Sequence, residues 1–285
     1  MSEKFLRAYP SWNASVPANL AAARAAELAV RARDAIPATI AVIDGVVCVG
    51  LTDDQLVRLA AQSDPLKISL RDLGPAIAFA RTGGTTVAST SLIACAAGIQ
   101  LFATGGIGGV HRGWSTTLDI SADLNAIATN RVVVVCAGAK ILLDLPATLE
   151  ALEALGIPAL GYRTRALPRF TVEADPELLL PEVVHSPAEI AAVVAAHWTA
   201  QPTRGALVMQ PCPESFALSA QPIEVALAAA LEEAKACGVR GAATTPFLLA
   251  RLAACESGNQ VLEANLALLF ANATLAAQVA TALAR

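Results

Sequence analysis

The sequence predicts an α/β protein whose mostly parallel central sheet is covered by helices on both faces. Three observations carry that expectation. Short runs of β-branched residues alternate with helical periodicity through the middle of the chain. The run VVVV at Val132–Val135 is continuously apolar, as a strand buried on both faces must be. And 55% of the 285 residues are hydrophobic against 15% charged, enough aliphatic material for a large core. No linker, repeat or low-complexity stretch interrupts the chain, so residues 1–285 read as a single domain.

The elements follow in order. Asn19–Ala35 is alanine-rich with spaced Arg and Glu and reads as a helix. ATIAVIDGVVCVGL is two short strands around Asp44-Gly45, a two-residue hairpin signal. Thr52 and Gln55 have the spacing of a capping box before another helix. Thr85–Gly98 reads as a helix of small side chains, Ile99–Ala103 as a short strand, and TGGIGGVHRG as a glycine loop. Val132–Val135 is the buried strand, Leu142–Leu155 a helix, and Ile157–Tyr162 and Gly205–Pro213 are further strands. The last third is helical: Pro222–Cys237, Pro246–Cys255 and Leu262–Ala284. Thr245-Pro246 supplies an N-cap and a first-turn proline.

Several function classes are set aside by composition. The net charge is -4 and the arginines are scattered, which gives no footprint for a nucleic-acid polymer. Cys48, Cys95, Cys136, Cys212, Cys237 and Cys255 form no C-x-x-C pair and read as free, buried, reduced thiols of a cytoplasmic protein. MSEKFLRAYP has charges and no apolar core, so no secretory signal shows. Ser91–Val110 is uncharged and, at about 20 residues, long enough for a bilayer, but five glycines break it into helix, turn, strand and loop, and no membrane span is expected. There is no G-x-G-x-x-G, Walker A lysine, G-x-S-x-G or H-E-x-x-H. His111, His185 and His197 show no ligand spacing, and the last two read as surface or satisfied core residues.

The chemistry then falls to a few residues. Only four lysines occur, Lys4, Lys67, Lys140 and Lys235. Lysine, unlike arginine, can lose its proton when desolvated. Lys140 stands just past the buried valine strand, where α/β sheets place their sites, and a nucleophilic amine there suits an imine with an aldehyde. A solvated strand-end lysine is the plainer reading of the same position. Asp119 and Asp123 are four apart and would share a helix face, a spacing that suits Mg²⁺ or Mn²⁺ held partly through water; an N-cap and a solvated acid is the alternative. Lys67 and Arg71, four apart near glycine turns, can hold a phosphate. Asn265 and Asn272 share a helix face, and a buried amide there needs a sugar, a phosphate or a neighbouring backbone group.

Taken together, PATIAVIDG, KISLRDL, GGTTVASTSLIACAAGIQLFATGGIGGVHRG, DISADL, VVVVCAGAKILLDLPATLEALEALGIPALGY and TPFLLARLA resemble the pseudouridine-5′-phosphate glycosidases. The likeness runs from Pro17 to the C-terminus, and Ala103–Leu145 is its most specific part. It implies a three-layer α/β/α enzyme, a homotrimer, acting on the C–C bond between C1 of ribose 5-phosphate and a base. It implies that Lys140 forms the imine with the opened sugar, with Asp123 beside it among the catalytic residues. Asp119 would bind a metal, Mn²⁺ or another divalent ion. Ser121, Ala122 and Asp123 would line the substrate, Lys67 and Val87 would contact the sugar phosphate, and Asn265 would be a site asparagine.

The chain departs from the family pattern in three places, one of them the arginine pair after Lys67, which is reduced to Leu70-Arg71. The family's Leu-Glu-Ser-Thr strand has no counterpart in residues 1–16, where Glu3 is a poor match for its acid/base glutamate. The acidic-histidine stretch after Gly113 is replaced by Trp114-Ser115-Thr116. With Tyr9 and Trp12 also aromatic, the leading expectation is a C-glycosynthase that joins ribose 5-phosphate to a flat aromatic, polyketide-like acceptor. A pseudouridine-5′-phosphate glycosidase is the second expectation, and an inactive sugar-phosphate-binding scaffold the third.

Overall fold

The computed structural model describes residues 17–239, 247–248, 250–251 and 258–284. Its first helix, α1 (Ala18–Arg31), packs Leu20, Ala21 and Ala25 inward. The hairpin β1 (Ile40–Ile43) and β2 (Val46–Val49) turns on Asp44 and Gly45, whose φ angles of 49° and 76° are both positive, as a tight hairpin of this length requires. The Thr52–Gln55 capping box opens α2 (Asp53–Ala60). Next come β3 (Leu66–Ile68), α3 (Leu70–Ala78), β4 (Gly83–Thr85) and α4 (Val87–Ala96), the last capped by Thr86 accepting from the Ser89 amide. These strands form a separate mixed sheet, ordered β2-β1-β4-β3.

The main sheet begins with β5 (Leu101–Ala103), followed by a one-turn helix α5 (Trp114–Thr117), α6 (Ala122–Thr129) and β6 (Val133–Cys136). Helix α7 (Leu145–Ala154) starts later than the sequence predicts, because the Asp144 carboxylate caps it and Pro146 fits its first turn. Then follow β7 (Ala159–Tyr162), β8 (Ala166–Arg169), β9 (Val172–Leu179), β10 (Glu182–Val184), α8 (Pro187–Ala200), β11 (Ala206–Met209), α9 (Ala220–Ala236) and α10 (Gly258–Leu283). The main sheet is ordered β10-β7-β11-β6-β5 and every pairing in it is parallel. The strands β8 and β9 form their own antiparallel ribbon.

Alternation along the strands divides the core into two layers. Val133, Val135, Ala206 and Val208 meet α8 and the second half of α10 through Ile190, Val194, Leu275 and Val279. Val134, Cys136, Leu207 and Met209 meet α6, α7 and α9 on the other face. This is the expected α/β/α sandwich, and it explains why all four residues of β6 are fully buried. Two additions go beyond the sequence reading, the second sheet and the β8–β9 ribbon. The suspected span Ser91–Val110 divides into the end of α4, β5 and the glycine loop. Among the described residues one helix, Gln260–Leu283, is long and apolar enough to cross a membrane, but 56% of its apolar window is buried within the protein, as in a core helix. Thr245-Pro246 and Cys255 lie outside the described residues.

Candidate active site

Parallel strands leave their carboxyl ends at one edge of the sheet, and the loops after β5 and β6 meet there. They are stitched backbone to backbone. The Ala137 amide donates to the Gly105 carbonyl at 2.8 Å, and the Ile107 amide to the Gly138 carbonyl at 3.0 Å. Lys140 emerges two residues beyond that ladder, half-buried, with Ala139 and Ile141 buried on either side. Burial lowers the ammonium's pKa from its ordinary value, the charge of Lys67 lowers it further, and the charge of Asp123 opposes both. A solvated strand-end lysine is therefore not what the fold builds.

Asp123 is buried at the first turn of α6. One carboxylate oxygen accepts from the Ala88 amide at 2.9 Å and the other from the Gly108 amide at 2.8 Å. A single acid thus ties together the N-terminal turns of α4 and α6 and the glycine loop, where both helix dipoles favour negative charge. Ser121 caps α6 by accepting from the Asp123 amide at 3.3 Å, and Ala122 is the helix's first residue. A side chain at Gly108 would place its Cβ 2.3 Å from Ser121 Oγ, so the close approach requires glycine.

Asp119 does not share a helix face with Asp123, because α6 begins only after the Ser121 cap. It is half-buried, with Oδ2 3.8 Å from His111 Nδ1 and its carbonyl accepting from the His111 amide at 3.0 Å. No group of three His, Cys, Asp or Glu gathers among the described residues. A hard divalent ion keeping most of its waters asks for only one or two carboxylates, and Asp119 fits that demand.

Lys67 is exposed on β3 opposite Gly84 of β4. Its neighbour Ile68 accepts at its carbonyl from the Thr86 amide and the Ser89 hydroxyl, which fixes β3 to the start of α4. Arg71 points its guanidinium to Asp72 at 3.5 Å and is 80% exposed, so the two cations do not form a closed cradle. Val87 is buried at the first position of α4 and lines a cavity of ≈ 760 Å³ that runs along β5 between α1 and α10. Lys140, Asp123 and Lys67 are not among its walls.

Asn265 is half-buried on α10. Asn272, on the same face, is fully buried, donates to the carbonyls of Thr104 at 2.7 Å and Gly105 at 3.3 Å, and accepts from Gln210 at 2.9 Å. Its partners are neighbouring groups, the plainer of the two sequence readings. His197 bonds the Gly205 carbonyl at 3.1 Å and His185 is exposed, as expected. The cysteines differ from expectation. Cys136 and Cys212 are buried, and burial pushes both thiols up to about 12, but Cys48 and Cys95 are half-buried and Cys237 is exposed. The sequence gives no signal for two further groups. Thr148 accepts from the Val110 amide at 3.0 Å, and Phe170 presses its ring on Gly105 and Gly106.

Comparison with known proteins places this arrangement. A family model described as indigoidine synthase A like protein matches residues 11–282. A pseudouridine-5′-phosphate glycosidase of Herpetosiphon aurantiacus is 51% identical over 94% of this chain and 88% of its own. That of Escherichia coli is 45% identical over 93% and 84%. The solved prealnumycin C-glycosynthase AlnA, in complex with ribulose 5-phosphate, gives a TM-score of 0.87 at 36% identity, covering 99% of this chain and 95% of that one. An indigoidine-synthase-A-like protein of Thermotoga maritima gives 0.84 at 29% identity, over 99% and 91%.

The expectation of a C-glycosynthase for an aromatic acceptor is overturned by these relatives. Eight curated proteins at 44–51% identity are all named pseudouridine-5′-phosphate glycosidase, whereas the C-glycosynthase is less similar. The physical reason lies in Trp114–Thr117, which among the described residues is a short exposed turn of helix with no buried residue, so one tryptophan in it is no ground for an aromatic acceptor site. Tyr9, Trp12 and Glu3 lie outside the described residues. Matched over nearly its whole length, the chain belongs to the indigoidine synthase A-like family, that of the pseudouridine-5′-phosphate glycosidases.

Proposed function

We propose that the protein is a pseudouridine-5′-phosphate glycosidase, breaking or forming the C–C bond between C1 of ribose 5-phosphate and uracil. The observation that carries this reading is the desolvated Lys140 amine at the carboxyl edge of the sheet. A C-nucleoside offers no leaving oxygen or nitrogen at C1. An amine that condenses with the open-chain C1 aldehyde expels water and leaves an iminium, which accepts the electron pair needed at C1. In the forming direction the uracil carbon supplies that pair and loses its proton, and the sugar ring oxygen then displaces the lysine nitrogen from C1, which closes the furanose and frees the amine. In the breaking direction the amine displaces the ring oxygen from C1, the oxygen taking up a proton; the C1–base pair then returns to the base carbon, which is protonated, and water hydrolyses the iminium left behind to ribose 5-phosphate and free lysine.

The other residues hold and orient. Lys67 meets the sugar phosphate through its ammonium group and Val87, the first residue of α4, through its backbone. Ser121, Ala122 and Asn265 line the substrate, and the Asp123 charge faces Lys140. Asp119, with His111 beside it, would hold a water-rich Mn²⁺ or related divalent ion, which when bound offsets the negative charge of the substrate phosphate. A homotrimer and a cytoplasmic setting belong to the same reading, the first read by light scattering.

The test has two arms. Incubation of pseudouridine 5′-phosphate with the protein and Mn²⁺ is expected to release uracil and ribose 5-phosphate. Borohydride reduction in the presence of ribose 5-phosphate is expected to leave an adduct on the Lys140 peptide that Lys140→Ala abolishes. A folded wild-type protein that releases no uracil and traps no sugar would overturn the assignment.

A further inference from the structure

We propose that Phe170 is a positioning residue, whose ring holds the glycine loop after β5 against the strand end that carries Lys140. Phe170 sits in the turn between β8 and β9 with φ at 64°. A bulky side chain in the left-handed region is a true outlier, and such outliers persist where the surroundings over-determine them. Here they do. The Phe170 amide donates to the Ala137 carbonyl at 2.7 Å, and Arg169 pairs as an antiparallel bridge with Gly138. Arg169 is itself buried and fixed by Glu224 at 3.0 Å and by the Glu173 carbonyl at 2.8 Å, which moors the turn to α9 and β9.

The ring fills the space over two glycines. A Cβ on Gly106 would lie 2.7 Å from Phe170 Cδ2, and one on Gly105 would lie 3.2 Å from Phe170 Cε2. Those glycines lead directly into Ile107, whose amide bonds Gly138, and Gly108, whose amide bonds Asp123. Phe170 therefore lays its ring on the glycine loop while its own amide is bonded to Ala137, on the strand end that carries Lys140. Without the ring the loop gains room to rise, and the ladder from which Lys140 emerges loosens. Leu268 also reaches Gly105, and Asn272 grips the earlier carbonyls of Thr104 and Gly105, but among the described residues the side chain nearest the Cβ position of Gly106 is that of Phe170.

The proposal rests on the imine reading only for its kinetic arm. Full-length Phe170→Ala, Phe170→Gly and Phe170→Tyr are compared with the wild type by amide hydrogen exchange and by borohydride trapping at varied ribose 5-phosphate. Loss of the ring is expected to quicken exchange at Ile107 and Gly108 by about tenfold or more in the Ala and Gly variants, while Val134 and Val208 keep their rates. The maximal trapping rate is expected to fall by about tenfold or more, with the half-saturating concentration within about twofold of wild type. Phe170→Tyr restores both. A Gly variant that behaves as wild type assigns the residue to backbone strain alone, and Val134 quickening in step with Ile107 assigns it to general stability; either overturns the proposal. If the Ala and Gly variants do not fold, Phe170→Leu carries the same measurements. A wild type that traps no sugar, with the exchange pattern as expected, removes the imine reading and leaves the ring's role standing.

Discussion

The Lys140 edge of the sheet and the loop Trp114–Ile120 belong to one site region by sequence, yet they are built in opposite ways. Around Lys140 the buried polar groups are tied to distant parts of the chain: both Asp123 oxygens, the Asn272 amide, the Thr148 hydroxyl and the Ile107 amide. In the loop, Leu118 is 77% exposed with φ at 54°, and Trp114 and Ile120 are exposed as well. Its ties are mostly to itself, such as the Leu118 amide to the Trp114 carbonyl at 2.7 Å. A residue whose neighbours over-determine it carries information about chemistry. A residue held only by its own turn can be exchanged with little consequence, and reading an acceptor from Trp114-Ser115-Thr116 led to the wrong activity.

The largest expected effect tests the tied side. Asp123→Asn keeps the volume but offers an NH₂ group to one of two backbone amides, so a donor faces a donor. Losing one charge-assisted bond and leaving a buried amide unpaired costs about 1.5–3 kcal/mol. The melting temperature is expected to fall by roughly 2–5 °C, and with the loop released, uracil release falls as well. A variant with unchanged melting temperature shows that Asp123 does not bind the loop to the helices, and the contrast between the regions is then lost.

Lys67→Met acts on the same side through charge. The amine of Lys140 reacts only when neutral, so adduct formation rises with pH through its pKa, which lies below the ordinary 10.5. Lys67 is one cause of that lowering, after burial. Its removal raises the pKa, so the rising limb of trapping against pH is expected to move to higher pH. The half-saturating concentration of ribose 5-phosphate rises as well, by about tenfold for the loss of one charge-assisted contact of about 1.5 kcal/mol. A limb that stays in place, or moves to lower pH, disconnects Lys67 from Lys140.

What was legible in the sequence follows the same division between local and distant causes. The β1–β2 hairpin and the α2 capping box rest on neighbours in the chain, Asp44-Gly45 and Thr52–Gln55, and could be read directly. So could β6, because a strand covered on both faces needs an unbroken valine run. The β3–β4 pairing could not, being three residues long on each side and containing Gly83 and Gly84. The ribbon carries Pro168, Pro176 and acidic residues without alternation, and its register shifts between Ala166 and Arg169. Lys140 stands out because lysine is scarce here, and Ser121 between Asp119 and Asp123 is the cap that keeps the two acids from sharing a helix face. Phe170 gave no sign, since a positive φ and a ring lying over distant glycines leave no trace in local composition.

The smallest expected effect tests the loose side. Leu118 holds a left-handed backbone at a cost of roughly 1–2 kcal/mol for a residue with a Cβ, and its side chain is exposed, so little packing offsets it. Glycine removes that cost and adds about 0.5–1 kcal/mol of chain entropy to be lost on folding. Leu118→Gly is therefore expected to stabilise the protein by about 0.5–1 kcal/mol, measured by urea unfolding with an unchanged slope. Asp119 follows directly, but its backbone amide and carbonyl are held by Thr117 and His111 rather than by the Leu118 side chain. The trapping rate with ribose 5-phosphate is accordingly expected to stay within about twofold of wild type, as for an exposed position away from special contacts. A loss of tenfold or more in that rate, in a variant at least as stable as the parent, would mean that the loop positions the sugar as firmly as the Lys140 edge does.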